Sequence, residues 1–236
     1  MQHTVVSHDE WLTARREFLK AEKELTHLRD KVVQQRLALP WVRIDKEYLF
    51  DTPEGTRTLA DLFDGRSQLV VQHFMFAPGW KEGCPSCSFM ADHTDGMNQH
   101  LAHHDVTMIA VSRAPLADIE RYRKRMGWQF NWVSSFDTDF NYDFRVSFTP
   151  DEVAGERIDY NFGEWQGTGA EWPGVSAFYK NDKGEVFRTY STYGRGVEVM
   201  MGTYNMLDLA PKGRNEVGGM DWVRRHDRYE QPSQTA

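Results

Sequence analysis

The stretch "SQLVVQHFMFAPGWKEGCPSCSFMADH", residues 67–93, decides how the rest of the chain is read. Residues 67–78 form a nearly continuous apolar run with β-branched members, the pattern of a strand buried on both faces. The loop "GWKEG" follows. Then "CPSCS" opens a helical pattern, with Pro85 at its start, where a missing N–H leaves no orphan. Both cysteines of the chain, Cys84 and Cys87, therefore fall where a buried strand hands over to a helix. In open α/β sheets, that carboxyl edge is where ligands bind.

Outward from this point the alternation continues. "DVTMIAVS" is a second buried strand, "PLADIERYRKRMG" a helix from Pro115 to Gly127, and "WQFNWVSS" a third strand. "AFYKNDKGEVFRTYS" reads as a hairpin, and "GRGVEVMMGTYNML" as a last helix. Alternating strands and helices imply parallel pairing, and the hairpin adds antiparallel strands. On the N-terminal side, "EYLFDTPEGTRTLADLFDG" reads as a short strand, a turn and a small helix closing at Gly65. "CPSCSFMADHTDGMNQHLAHH" reads as one helix weakened at Gly96.

Ser7-His8-Asp9-Glu10 is a capping box, and Trp11, Ala14, Phe18, Ala21, Leu25, Leu28 and Val32 follow at alternating spacings of three and four. That is one apolar stripe on a long amphipathic helix ended by Pro40. The stripe either packs on its own domain or forms a homodimer seam. The expected organisation is an N-terminal helical extension (1–45), one α/β domain (46–210) and a C-terminal tail packed on it (211–236), tied down by Trp222 and Tyr229.

Composition bounds the function. The chain has 236 residues, 40% hydrophobic and 13% aromatic, enough for a packed core. A net charge of -7 gives no footing for nucleic acid, so the aromatic run "FNWVSSFDTDFNYDF" reads as core and loop packing rather than a base-stacking platform. No apolar run is long enough to span a bilayer, and the N-terminus has no apolar signal core. A cytoplasmic protein without a membrane partner is the expectation.

Two cysteines make no disulfide framework. In a reducing compartment, C-x-x-C is chemistry or metal. At a helix start, free N–H groups and the positive end of the helix dipole favour a thiolate on Cys84. Cys87, one turn on, can close a disulfide with it. Cys84 would attack a thiol or disulfide substrate, Cys87 would resolve the mixed disulfide, and an external thiol reductant would reset the pair, with no cofactor. Zinc needs four ligands and the motif supplies two. His93, His100 and His104 are the candidates to add to them, although histidines so spaced also suit a solvated helix face. Two inert buried thiols are the remaining alternative.

The landmarks "LPWVRIDKEYLFD", "GCPSCSFMADH", "VSRAPLADIERYRKRMGW", "WVSSFDTDFNYDF", "RTYSTYGRG" and "WVRRHDRY" resemble those of an uncharacterised bacterial family of thioredoxin-like proteins, a domain-of-unknown-function family close to the peroxiredoxins. The resemblance runs over almost the whole chain. It implies a thioredoxin-like mixed central sheet flanked by helices, with Cys84 in the attacking and Cys87 in the resolving position. Peroxiredoxins share a P-x-x-x-T/S-x-x-C stretch, and here "APGWKEGC" places Ala77 at the proline and Lys81 at the hydroxyl. Thiol–disulfide exchange is thus the first expectation. A thiol peroxidase using Cys84, or a non-enzymatic module binding a metal or partner, is the alternative. The resemblance also places Pro173, in "EWPGVSAFY", near the proline that faces the cysteines in thioredoxins, with Gly174 between it and the strand.

Five further residues are candidates for substrate binding: Trp80, Lys81, Arg113, Pro173 and Arg195. Lys81 would support a thiolate by charge, and neighbouring Glu82 would oppose it. Arg113, at the end of the second buried strand, suits an anionic group or a structural ion pair with Asp137 or Asp139. Arg195 lies at the start of the last element. His73, inside the first buried strand, reads as a buried, hydrogen-bonded histidine.

Overall fold

The S-x-x-E pattern caps a helix as its chemistry requires. Ser7 Oγ accepts from the Glu10 N–H at 3.3 Å, and Glu10 Oε2 accepts from the Ser7 N–H at 2.9 Å. Helix α1 then runs His8–Leu37, with no buried residue. The computed structural model describes residues 3–155, 157–167 and 169–230, so the last six positions of the expected tail lie outside the described residues. Among the described residues, those up to Pro40 form one compact unit and those from Trp41 onward a second.

In the second unit, β1 (Val42–Arg43), β2 (Leu49–Thr52) and β3 (Gly55–Thr58) precede β4 (Gln68–His73). Helices α2 (Pro85–Ala91) and α3 (Asp95–His103) lead to β5 (Val106–Ser112), and α4 (Leu116–Met126) leads to β6 (Asn131–Ser134). Short helices α5 (Phe140–Asp143) and α6 (Pro150–Ala154) and a hairpin of β7 (Arg157–Tyr160) and β8 (Gly163–Gln166) come next. Then follow β9 (Gly174–Lys180), β10 (Val186–Tyr193), a 3-10 segment (Gly194–Met200) and α7 (Gly202–Leu209).

The main sheet has the order β1-β10-β9-β4-β5-β6-β2-β3. Strands β4, β5 and β6 are parallel, whereas β9 pairs antiparallel with β4, and β10 with β9. A strand joined through helices to a parallel neighbour, with an antiparallel hairpin on its other side, is the thioredoxin-like arrangement. Here β10-β9-β4-β5 is that core, and β6 with the β2–β3 hairpin extends its edge.

Side chains of the central strands alternate between separate cores, as a pleated strand dictates. Leu69, Val71, Ile109 and Val111 join a cluster with Phe63, Phe140 and Phe178. Ala110 joins Cys87, Ile119, Tyr122 and Trp132 in a second cluster, and Val70 packs against a third with Phe89, Met201 and Tyr204. The cysteine helix and α4 therefore share one face of the sheet. Every residue of β5 after Val106 is buried, as the apolar run "DVTMIAVS" requires.

Several local expectations give way to tertiary contacts. The single helix over 84–104 is two, α2 and α3, and the break falls at 92–94, ahead of Gly96. There, Asp92 accepts from Trp128 Nε1 at 2.8 Å, and Asp95 accepts from the Phe130 N–H at 2.7 Å, so long-range hydrogen bonds override helix propensity. The segment 55–58 is strand β3, in place of the expected end of the turn and start of the small helix, although Gly-Thr-Arg-Thr carries no apolar alternation; pairing with β2 supplies its order, and the helix is confined to Asp61–Phe63. The expected last helix is split into the 3-10 segment and α7. Gly174 belongs to β9, so Pro173 directly precedes the strand, and the Trp172–Pro173 bond is trans.

Candidate functional site

The parallel pairing of β4 with β5 ends at His73–Val111, and the chain beyond β4 carries the site. Cys84 is the cap residue of α2, with Pro85 in its first turn. The Cys84 N–H donates to Met75 O at 3.0 Å, and Cys84 O accepts from the Ser88 N–H at 3.0 Å and from Ser88 Oγ at 2.8 Å. Gln72, buried in β4, donates from Nε2 to Cys87 O at 3.1 Å. The motif is thus pinned at both ends, to β4 through Gln72 and to the segment just beyond it through Met75.

The two sulfurs differ sharply. Cys84 is half-buried, whereas Cys87 is 1% exposed; both are free thiols. The Cys87 thiol donates toward Cys84 and draws its pKa down to about 6. Burial works against this; the N–H groups of Cys87 and Ser86 and the Ser86 hydroxyl assist it, although none closes a formal capping hydrogen bond. Cys87 is pushed well above the usual thiol range, first by giving its proton to that hydrogen bond and then by burial. The Met75 N–H approaches Cys87 Sγ at 3.5 Å and pulls the other way. A half-buried thiol with a lowered pKa beside a buried, protonated one can support attack by the first sulfur and resolution by the second.

The loop before Cys84 is held from the tail. Arg225 donates to Gly83 O from Nε at 3.0 Å and Nη2 at 2.6 Å, and from Nε to Tyr122 Oη at 3.1 Å. Tyr122 Oη in turn lies 2.9 Å from Ser88 Oγ. Glu82 is engaged by Arg125, by Arg225 Nη1 at 3.0 Å and by Arg228 Nη2 at 3.0 Å. Arg125 first, with its two companions, holds the Glu82 carboxyl below its ordinary range. The carboxylate that would oppose a thiolate is thereby compensated. Nothing in the spacing of the sequence marked Arg225, which sits 142 residues from Gly83.

The five candidate binding residues fall in three places. Trp80 and Lys81 lie on the loop before the cysteines; both are exposed, and Lys81 makes no ion pair among the described residues. Arg113 pairs with Glu171, not Asp137 or Asp139, at 2.6 Å, and stacks over Tyr142. Glu171 is 9% exposed and also accepts from Ser147 Oγ at 2.7 Å; its pKa is raised by burial against the pull of these partners. Pro173 and Arg195 do come together with the motif. They line, with Ser86 and Cys87, a cavity of about 950 Å³. Tyr160 ties the two loops that carry them: its Oη donates to Pro173 O at 2.6 Å and accepts from the Gly194 N–H at 2.8 Å. Arg195 points to solvent and is paired with Glu198 at 2.9 Å.

His73 is buried beside Phe140 and Phe144, and its Nε2 lies 2.8 Å from Ser176 Oγ. Burial lowers its pKa to about 3, so it stays neutral and structural. His93 Nε2 meets Thr203 Oγ1 at 2.8 Å. Among the described residues, no group of three or more His, Cys, Asp or Glu is arranged to hold a metal ion, and no helix is long and apolar enough to cross a membrane.

Solved structures similar to this chain include the peroxiredoxin PrxQ of Xylella fastidiosa in a cysteine-to-serine form. It is 13% identical with a TM-score of 0.42, over 67% of this chain and 88% of that one. The peroxidoxin BcpB of Mycobacterium tuberculosis is 12% identical with a TM-score of 0.45, over 67% and 91%. Peroxiredoxin Q of Xanthomonas campestris is 13% identical with a TM-score of 0.43, over 71% and 96%. Comparison with curated proteins gave no match. The family described as "Bacterial protein of unknown function (DUF899)" matches residues 1–229, and the chain belongs to that family.

Proposed function

We propose that the protein is a thiol–disulfide oxidoreductase in which Cys84 is the nucleophile and Cys87 the resolving thiol. The supporting observation is the pairing itself: a half-buried Cys84 with its pKa drawn down to about 6, receiving a hydrogen bond from a buried Cys87. At neutral pH the Cys84 thiolate attacks one sulfur of a disulfide and expels the other as a thiolate, forming a mixed disulfide. Cys87 loses its proton, to the departing thiolate or to water, as its sulfur attacks Cys84 Sγ. The product thiol leaves, and the protein is left with a Cys84–Cys87 disulfide that an external dithiol reduces.

Pro173, which follows a trans peptide bond, lines the same cavity as Cys87 and would give a substrate a wall beside the motif. Replacing Cys84 by Ser should abolish disulfide turnover. Replacing Cys87 by Ser should leave the first step intact and accumulate a covalent mixed disulfide visible by intact mass. Wild-type turnover in both variants would contradict the assignment.

A further inference from the structure

The cavity beside the motif has a composition that narrows the substrate. Its floor is built from Met75, Met90, Val197, Met201 and Met220, and Cys87 opens onto it. Methionine side chains are apolar and adaptable, the surface that receives a flexible hydrocarbon rather than one rigid shape. The volume, about 950 Å³, is at the upper end of the ~300–1,000 Å³ range of small-molecule sites.

The rim is charged, but its charges are spent on one another. Arg214 pairs with Asp208 at 2.8 Å and Glu198 at 3.1 Å and lies over the Tyr204 ring; Arg195 also pairs with Glu198. Glu216 accepts from Tyr204 Oη, Trp222 Nε1 and the Met220 N–H at 2.9–3.0 Å. Two arginines stand against three carboxylates, so the rim offers no free cation to a carboxylate-bearing thiol. The wall disfavours an anionic arm by charge and favours a neutral hydrocarbon arm by burial.

Resting on the oxidoreductase reading, we infer that the substrate is a low-molecular-mass disulfide with a neutral, apolar arm that seats on the methionine floor. Cys84 attacks the sulfur bearing that arm. The other half leaves as a thiolate, and the arm stays in the cavity as a Cys84 mixed disulfide until Cys87 displaces it as a free thiol.

The test uses mixed disulfides of 5-thio-2-nitrobenzoate with n-alkanethiols of two to eight carbons, with release of the coloured thiolate from reduced wild-type protein as the readout. The second-order rate constant should rise about fourfold per added methylene. Met220→Gln, at a half-buried position of the floor, should flatten that dependence; a slope unchanged in this variant would overturn the assignment of the floor. In parallel, the non-reducible S-alkyl thioethers of the same series are titrated calorimetrically into wild-type protein, and their Kd should tighten by the same factor. Turnover with no chain-length dependence overturns the apolar-arm inference and leaves the oxidoreductase reading standing. Thioether binding that tightens with length, without turnover of any disulfide, overturns the oxidoreductase reading and keeps the cavity's preference. Neither response overturns both.

Discussion

On one flank of Cys84 the chain is gripped by ions; on the other it faces methionines. The Glu82–Gly83 side is fastened by Arg225 to a backbone carbonyl and by Arg125, Arg225 and Arg228 to a carboxylate. The Cys87 side opens on Met75, Met90, Met201 and Met220 around a large cavity. Charged hydrogen bonds have strict geometry, whereas thioether side chains repack at little cost. On the proposed oxidoreductase reading, the ion-held flank would fix the nucleophile and the methionine flank would receive its substrate.

The comparison is most strongly tested at the sulfur between the flanks. Cys87→Ala removes the largest influence lowering the Cys84 pKa. The midpoint of Cys84 alkylation against pH should move from about 6 toward the ordinary thiol value of roughly 8.5. The sign follows from the charge: a donor to the thiolate favours the ionised form, so its loss raises the pKa. An unmoved midpoint would assign the activation to the helix start alone.

The gripped flank should be intolerant of volume. A Cβ on Gly83 would lie 2.6 Å from Phe74 Cε1 and 2.8 Å from Tyr122 Cε1, both in buried rings. Gly83→Ala should cost about 1–3 kcal/mol in denaturant unfolding. Arg225→Ala strips two hydrogen bonds from Gly83 O and one ion partner from Glu82. It should cost about 1–2 kcal/mol and slow Cys84 alkylation at neutral pH. Full stability in this variant would make the tail contact dispensable. The smallest effect is expected at Lys81, exposed and without an ion pair among the described residues. Lys81→Ala should stay within about 0.5 kcal/mol in stability, with Cys84 reactivity changed less than about twofold.

What was legible in the sequence was local. Buried strands β4 and β5, the capping box at Ser7 and the cysteines at a strand-to-helix junction all leave periodic or positional marks. The hairpin turn was equally plain, with Asn181 Oδ1 accepting from the Lys183 and Glu185 N–H groups and Gly184 at a positive φ. What escaped depends on distant partners. Strand β3 has no apolar alternation, and the helix break at 92–94 is made by segment 128–130. Arg225 reaches back from the tail to Gly83, and Arg113 finds Glu171 58 residues away. Among the site residues, Cys84 and Cys87 were marked by context, and Pro173 and Arg195 by the resemblance and by position. The methionine floor gave no signal beyond the ten methionines of the chain, since its four methionines come from four separate segments.

The most direct test of the dithiol couple is a redox titration of the metal-free protein. It is equilibrated in glutathione buffers of defined potential, quenched, alkylated and counted by intact mass. A reversible transition in which Cys84 and Cys87 vanish together, at roughly -270 to -200 mV, is the expected result. Two thiols that stay reduced and slow to alkylate at every potential would contradict it.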